Sequence, residues 1–453
     1  MLFFEYSFLF VFLPLVLAVY FTLPHSARNS WLLVSSCVFY SFSSWMFLPV
    51  LFCSIAVDFV AGGRIARTSD PAARKRWLLV SLVTNLGALA GFKYLGLITS
   101  GLGDLFGHER IPLLEAALPV GISFYTFQSM SYTLDLYRRR IQPACSFRDF
   151  AAYVSMFPQL IAGPIVRYAD LESQLARREH SADQFASGVY LFVVGMAKKL
   201  LIADTLAKIS APLFAQAAPG FCDAWIAMLL FSGQIYFDFS AYSDMAIGLG
   251  RLFGFEFPEN FRSPYRATSF ADFWRRWHIT LSSWLRDYLY IPLGGNRSGA
   301  LRTHLNLLVT MLLGGLWYGA SWNFLLWGGV HGALLCGERI CRGRLPVPPK
   351  AVRQAMVFLA VTAVWVPFKF EAFAETLLWW GAMFGSSGVG SVGLIETAAV
   401  ALLLLLVWLP RRIYDWDLRF DLPQVAYASA LFISAILIGY GRAEISPFLY
   451  FRF

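Results

Sequence analysis

Residues 273–295 read FWRRWHITLSSWLRDYLYIPLGG, and residues 307–332 read LLVTMLLGGLWYGASWNFLLWGGVHG. At about 100° per residue the first segment predicts one continuous amphipathic helix, because its apolar side chains fall on a single stripe. The stripe consists of Trp274, Trp277, Leu281, Trp284, Leu285 and Tyr288. His278 lies at the edge of the stripe, so its ring is predicted at the border between polar and apolar surroundings. A titratable ring in that position, in a chain this apolar, is a candidate for a functional site.

The composition of the whole chain predicts an all-α polytopic integral membrane protein. Of the 453 residues, 58% are hydrophobic and 14% are charged, whereas charged residues make up about 25% of a soluble globular domain. Several uncharged runs approach or exceed the roughly 20 residues that cross a bilayer as a helix. Spans are predicted near residues 7–23, 30–45, 47–62, 77–98, 187–202, 223–237, 354–368, 374–385, 393–409 and 425–440, with a basic loop at 63–76 and a polar loop at 101–115.

Other segments are predicted to be broken rather than straight. The runs 118–135 and 156–164 combine proline with polar residues, which indicates re-entrant helices that line a cavity. The stretch 305–337 carries no formal charge and is too long for one straight crossing. We expect it to break at Gly314-Gly315 and Gly328-Gly329, since paired glycines are natural places for a helix to bend.

The formal net charge of +9 does not indicate nucleic-acid binding, because Lys and Arg of membrane proteins collect in cytoplasmic loops. Basic clusters at 64–76 and 339–353 fit that pattern, and three spans before the first cluster predict an N-terminus on the side of the membrane opposite the cytoplasm. Asp238 borders an apolar segment, where an ionised carboxylate needs a partner, and we expect an arginine. The six cysteines have neither metal-site nor disulfide spacing, so no metal site is expected.

The quoted segments resemble the membrane-bound O-acyltransferase (MBOAT) family, in its bacterial branch of alginate O-acetylation membrane proteins. Further segments carry the likeness nearly from end to end: FLFVFLPLVLAVYF at 8–21, LPVGISFYTFQSMSY at 118–132, MFPQLIAGPIVRY at 156–168, FDFSAYSDMAIGLGRLFGFEFPENFRSPY at 237–265 and SPFLYFRF at 446–453. The resemblance implies one MBOAT-like domain over 1–453, with N-terminal spans at 1–110, a catalytic core at 111–340 and C-terminal spans at 341–453. About 11 transmembrane helices, with re-entrant and interfacial helices, would surround a central tunnel.

One position departs from the family pattern. Where the family reads LWHG, with its principal catalytic histidine, this chain reads Leu316-Trp317-Tyr318-Gly319. The resemblance implies that Tyr318 occupies the catalytic position. It also implies that His278 lies in the reaction chamber, where it would hold or polarise the reacting groups. The residues interpreted as substrate-binding are Trp277, Arg286, Asp287, Trp317, Asn323 and His331.

Tyr318 is a poor replacement for a catalytic base. O-acylation needs a base that takes a proton from a sugar hydroxyl as this hydroxyl attacks a thioester. A free tyrosine has a pKa near 10, so about one in a thousand is ionised at pH 7, a deficit of roughly 4 kcal/mol. Its hydroxyl could donate a hydrogen bond to a developing oxyanion, or merely fill the space. Two origins remain open: an inactivating change in an otherwise intact enzyme, or a branch that uses His278 or His331 as its base. We favour a preserved but impaired site.

By resemblance, the chain is expected to be an inner-membrane O-acyltransferase subunit. It would move an acetyl group from acetyl-CoA, or from an acyl carrier protein, to a periplasmic acetyltransferase partner that modifies an exopolysaccharide. No covalently bound cofactor and no nucleic-acid partner are expected. Arg275, Arg276 and Arg286 could meet the donor's phosphates or serve as positive-inside anchors. The alternatives are a non-catalytic scaffold or acyl conduit of a secretion complex, and D-alanyl transfer to teichoic acid.

Overall fold

The computed structural model describes residues 1–107, 113–114, 116–161, 163–344, 346–385, 387–391, 393–408, 421–440 and 448–449. Within these ranges all regular secondary structure is helical, which confirms the predicted all-α class. The described residues form two compact units. The first is built mainly from 1–192 and 243–258, and the second from 193–242 and 259–408 together with most of the described residues beyond 420. The predicted three-part division of a single domain stays a prediction.

By length and composition, four helical stretches within the described residues can cross a membrane. They are His25–Arg67, Pro71–Phe106, Ala182–Phe214 and Leu422–Gly439, and the apolar stretches Ser7–Thr22 and Leu394–Trp408 are shorter. The first of the four contains both predicted spans 30–45 and 47–62, joined at the short 3-10 turn Trp45–Phe47. The polytopic prediction therefore holds for the described residues, while the number of about 11 spans stays a prediction.

The helices of the first unit begin with a π-helical turn at Ser7–Phe12. They are α1 (Leu13–Thr22), α2 (His25–Ser44), α3 (Leu48–Arg67), α4 (Pro71–Leu89), α5 (Leu95–Phe106, after a π-helical turn at Ala90–Tyr94), α6 (Ile122–Tyr137), α7 (Phe147–Ser155), α8 (Phe157–Leu160), α9 (Tyr168–Ala176) and the first part of α10 (Ala182–Ala197). The predicted run 118–135 corresponds to α6, which is buried along nearly its whole length. α6 begins after Gly121 at φ 76°, where a Cβ would overlap the carbonyl oxygen of Leu160. This close approach places α6 directly against α8.

Two loops of the first unit are shorter than predicted. The basic loop 63–76 is reduced to residues 68–70, because arginine and lysine are good helix formers that extend both neighbouring helices. Asp70 caps α4 by accepting hydrogen bonds from the amides of Ala72 and Ala73. The predicted loop 101–115 is wrong in its first part, where α5 reaches Phe106; residues 108–112 and 115 lie outside the described part of the chain.

The second unit contains the two segments 273–295 and 307–332. A π-helical turn at Lys198–Ala203 leads into its helices, which are α11 (Asp204–Phe214), most of α12 (Phe221–Leu252), α13 (Phe270–Trp274, after a 3-10 turn at Pro264–Arg266), α14 (Ile279–Leu285), α15 (Gly299–Tyr318), α16 (Trp322–Cys341), α17 (Lys350–Val364), α18 (Val366–Lys369), α19 (Phe373–Met383), α20 (Leu394–Trp408) and most of α21 (Leu422–Tyr440). α12 continues well past the predicted end at residue 237, because the small and polar side chains that follow pack inside the protein.

The predicted glycine breaks are wrong. α15 runs through Gly314-Gly315 and α16 runs through Gly328-Gly329, and the chain reverses between them at residues 319–321. The glycines instead allow the two helices to touch. A Cβ at Gly315 would overlap the carbonyl oxygen of Phe324, and a Cβ at Gly328 would overlap that of Met311.

Gly328→Ala is therefore expected to destabilise the second unit by about 1–3 kcal/mol, because the added methyl group forces α15 and α16 apart. Gly337→Ala is the matched control on the same helix, since a Cβ there meets nothing within 4 Å. Thermal unfolding in detergent should lower the melting temperature of the first variant by several degrees and leave the second unchanged or slightly raised. Equal melting temperatures would show that the close approach contributes nothing to stability.

Candidate functional site

The single amphipathic helix predicted over 274–288 does not form, because the chain breaks at His278. α13 ends at Trp274, and α14 begins at Ile279 and continues as a π-helical turn at Arg286–Tyr290. His278 itself is left-handed, with φ 43° and ψ 57°. This conformation costs an L-residue about 1–2 kcal/mol, and it turns the ring away from the border predicted by the helical stripe. The imidazole is 0% exposed.

The buried imidazole meets the candidate residue of the second segment. His278 Nδ1 lies 2.9 Å from the hydroxyl oxygen of Tyr318, which is buried at the end of α15. With the ring proton on Nε2, the phenol donates to Nδ1; with the proton on Nδ1, the imidazole donates to the phenol oxygen. The two predicted catalytic residues, 40 positions apart in the sequence, are therefore in direct contact.

Aromatic rings enclose this pair. The imidazole lies edge-to-face on Phe239, at 4.7 Å between ring centroids, and 5.5 Å from Trp317. The Tyr318 ring packs edge-to-face on Trp327 at 5.0 Å. Such an enclosure excludes water, and an electrostatic interaction inside it is stronger than the same interaction in solution.

Two further predicted residues lie in the same aromatic cluster. Trp277 is fully buried and packs on Trp365, with 4.9 Å between ring centroids. His331 on α16 packs edge-to-face on Trp327 at 4.7 Å, so Tyr318 and His331 both contact this indole. Within the described residues neither ring nitrogen of His331 has a hydrogen-bond partner. The structure thus brings His278, Tyr318, Trp277, Trp317 and His331 into one cluster of the second unit.

The remaining predicted residues make structural contacts. Asn323 donates hydrogen bonds of 2.6 and 3.1 Å to the carbonyl oxygens of Phe370 and Glu371, which ties the start of α16 to the turn before α19. Arg286 pairs with its neighbour Asp287 at 2.7 Å, and its side chain is 62% exposed. Substrate binding by Asn323, Arg286 and Asp287 stays a prediction.

The other two arginines of the predicted basic cluster also have a carboxylate partner. Arg276 pairs with Asp272 at 3.0 Å and Arg275 pairs with the same carboxylate at 3.5 Å. These pairs neutralise part of the charge that a phosphate group would meet.

One ion cluster behind the site was not predicted in this form. Asp238 pairs with Lys199 at 2.9 Å rather than with an arginine, and Lys199 pairs equally with Asp204 at 2.9 Å. All three side chains are buried. The second oxygen of Asp238 accepts a hydrogen bond of 2.7 Å from the amide of Leu449.

This ion cluster is connected to the candidate site by Phe448 and Leu449. Phe448, which precedes the anchored Leu449, lies 4.8 Å from the ring of Tyr242 and 5.7 Å from that of Phe239. Phe239 is the ring on which His278 packs. No spacing in the sequence could have paired Asp238 with a lysine 39 positions earlier, because that contact depends on how α12 packs.

Comparison with known proteins agrees with this geometry. Residues 133–368 match the sequence profile of the membrane-bound O-acyltransferase family. A probable alginate O-acetylase of Azotobacter vinelandii is 39% identical over the full length of both chains, and one of Pseudomonas aeruginosa is 41% identical over 94% of this chain and 85% of its own. A peptidoglycan O-acetyltransferase of Helicobacter pylori is 36% identical over 86% of this chain and 81% of its own. The resemblance stated from the motifs is confirmed: the chain belongs to the membrane-bound O-acyltransferase family and is an integral membrane O-acyltransferase.

Proposed function

We propose that this chain is an inner-membrane subunit that supplies acetyl groups for the O-acetylation of an exopolysaccharide such as alginate. It takes the acetyl group from a cytoplasmic donor, acetyl-CoA, and passes it to a periplasmic acetyltransferase partner. Support comes from acetyltransferase relatives that match along most of their length. The observation that carries the proposal is the hydrogen bond between His278 and Tyr318 inside a water-excluding aromatic enclosure.

The two residues have separate tasks in this proposal. The neutral imidazole of His278 takes the proton of the hydroxyl group that accepts the acetyl group. The oxygen of that hydroxyl attacks the thioester carbonyl of acetyl-CoA at the same time. The phenol of Tyr318 donates a hydrogen bond to the oxyanion that forms. The carbon–sulfur bond then breaks, the acetyl group stays on the acceptor oxygen, and the proton passes from the imidazole to the departing thiolate.

Tyr318 makes this site slower than one with two imidazoles. A phenol with a free pKa near 10 is not a useful base at pH 7, so a single histidine must both receive and return the proton. The intact surroundings of Tyr318, with Trp317, Trp327 and Phe368 packed around its ring, favour a preserved but impaired active site.

His278→Phe is expected to lower acetyl transfer by about a hundredfold or more, because it removes the base while keeping a ring in the aromatic enclosure. His304→Phe is the matched control, since His304 is a half-buried histidine of α15 in the same unit. The measurement is transfer of radiolabelled acetyl groups from acetyl-CoA to polysaccharide, in cells that lack their own copy and carry each variant at equal abundance. Transfer by His278→Phe at the rate of the unmodified chain would contradict the proposal.

A second candidate function is a scaffold or acyl conduit without chemistry of its own, and Tyr318 is the observation that favours it. The same experiment separates the two. If no variant supports transfer, yet removal of the chain releases the other subunits of the secretion complex from the membrane, the scaffold function is correct. D-alanyl transfer to teichoic acid is less favoured, because the opening and closing motifs at 8–21 and 446–453 resemble the polysaccharide branch.

A further inference from the structure

We propose that Asn260 is a positioning residue that holds the chain at His278 in the conformation that directs the imidazole to position 318. The conformational part of this inference concerns local structure alone, and its consequence for the rate of acetyl transfer rests on the proposed function. Asn260 lies in the FPENFRSPY segment, was not among the predicted site residues, and is fully buried.

The conformation of His278 requires support from its surroundings. Three non-glycine residues in the described part of the chain have positive φ, namely Arg139, Ser263 and His278. A left-handed residue that is not glycine persists only where its neighbours hold it there. His278 is the one of these three whose side chain lies in the candidate site.

The start of α14 is not capped by the side chain of its own N-cap residue. His278 is the N-cap of this helix, a position whose side chain ordinarily accepts a hydrogen bond from the second or third helical amide. The imidazole makes no such bond and contacts Tyr318 instead. Because Nδ1 of the imidazole is used for the contact with Tyr318, the hydrogen-bond acceptors for the first amides of α14 come from another part of the chain.

Asn260 supplies that cap, 18 residues earlier in the chain. Its carbonyl oxygen accepts a hydrogen bond of 2.9 Å from the amide of Ile279, the first residue of α14. Its side-chain Oδ1 accepts bonds of 3.3 Å from the amide and 3.0 Å from the hydroxyl of Thr280. The first two amides of α14, which have no acceptor within the helix, are thus satisfied without using the imidazole.

The same segment also holds the chain on the other side of His278. The amide of Arg262 donates a hydrogen bond of 2.9 Å to the carbonyl oxygen of Arg276. Between these two anchors Phe261 packs edge-to-face on Trp277 at 5.1 Å and stacks near the imidazole at 6.5 Å. Residues 260–262 therefore fix the backbone before and after His278, and the side chain of Asn260 is the part that a substitution can remove.

The test measures how well the imidazole is held, independently of catalysis. The full chain in detergent is treated with diethyl pyrocarbonate, and mass spectrometry follows the modification rate of His278. Asn260→Ala is expected to raise this rate about tenfold or more, because the released turn exposes a ring that is otherwise fully buried. Asn260→Asp keeps an acceptor oxygen at the same place and should restore a rate near that of the unmodified chain. Asn306→Ala is the matched control. Asn306 is a buried asparagine of the same unit, and its side-chain amide donates a hydrogen bond to the carbonyl oxygen of Gly295.

The acetyl-transfer assay with acetyl-CoA supplies the functional readout. Asn260→Ala should lower kcat tenfold to a hundredfold with little change in the KM for acetyl-CoA, since a displacement of about 1 Å can have such an effect. Asn306→Ala should lower thermal stability about as much as Asn260→Ala does. It should change neither the modification rate of His278 nor kcat.

Each outcome decides one claim. An unchanged modification rate in Asn260→Ala would overturn the positioning role, whether or not the chain transfers acetyl groups. A raised modification rate with unchanged kcat would show that the reaction does not depend on this positioning, and would overturn the consequence drawn here. Absence of transfer in every variant, including the unmodified chain, would remove the proposed function, while the modification rates would still decide the role of Asn260.

Discussion

Tyr318→His is expected to raise the rate of acetyl transfer by about a hundredfold to a thousandfold. A histidine has a free pKa near 6.5 and is mostly a neutral base at pH 7, whereas about one tyrosine in a thousand is ionised. The hydroxyl of Tyr318 already lies 2.9 Å from His278, so a base at this position would lie beside a second imidazole. The measurement is the initial rate of acetyl transfer from acetyl-CoA at pH 7, with equal amounts of each variant in the membrane.

Tyr318→Phe separates the roles that the phenol can have. It keeps the ring between Trp327 and Phe368 and removes only the hydroxyl. If that hydroxyl stabilises the oxyanion, Tyr318→Phe should be about tenfold to a hundredfold slower than the unmodified chain. If the hydroxyl only fills space, the rates should be equal. A histidine variant no faster than the phenylalanine variant would contradict the claim that the chain is an acyltransferase impaired at this position.

The fold could be predicted from the length and charge of the apolar runs. Apart from Trp45 and Phe47, which lie in the 3-10 turn, the predicted spans 30–45, 47–62 and 354–368 fall within α2, α3 and the segment α17–α18, because a long uncharged run has few other stable arrangements in lipid. The ends of helices could not be predicted in the same way. α12 continues past the predicted end of its span at residue 237, because the small and polar residues that follow are buried in the structure.

The sequence was sufficient to predict which residues form the candidate site, but not how they are arranged. The motif resemblance identified positions 278 and 318, and the structure places them in contact. The helical period gave the wrong surroundings for His278, because no glycine, proline or asparagine marks a break within 274–288. The break depends on hydrogen bonds to Asn260, 18 residues away, and a periodicity argument sees only neighbours within a few turns.

Lys199→Met is expected to destabilise the second unit by about 3–5 kcal/mol, because it removes the cation that both buried carboxylates, Asp204 and Asp238, contact. Lys199 contacts Asp204 and Asp238 at 2.9 Å each, and all three side chains are buried. Thermal unfolding in detergent should show a large fall in melting temperature. Arg286→Met is the matched control, since it also breaks an ion pair of a basic side chain, but an exposed one that contributes at most about 1 kcal/mol.

The origin of that loss can be tested by removing the charges that the lysine neutralises. The triple variant Lys199→Met, Asp204→Asn, Asp238→Asn carries no buried carboxylate in this cluster, so it should recover most of the stability lost in Lys199→Met. The amide of Leu449 would still find an acceptor oxygen at position 238, which keeps Phe448 against Phe239 behind the imidazole. Acetyl transfer should therefore recover together with stability. A triple variant as unstable as Lys199→Met would mean that lysine acts through packing of its side chain, and that the carboxylates are not the source of the loss.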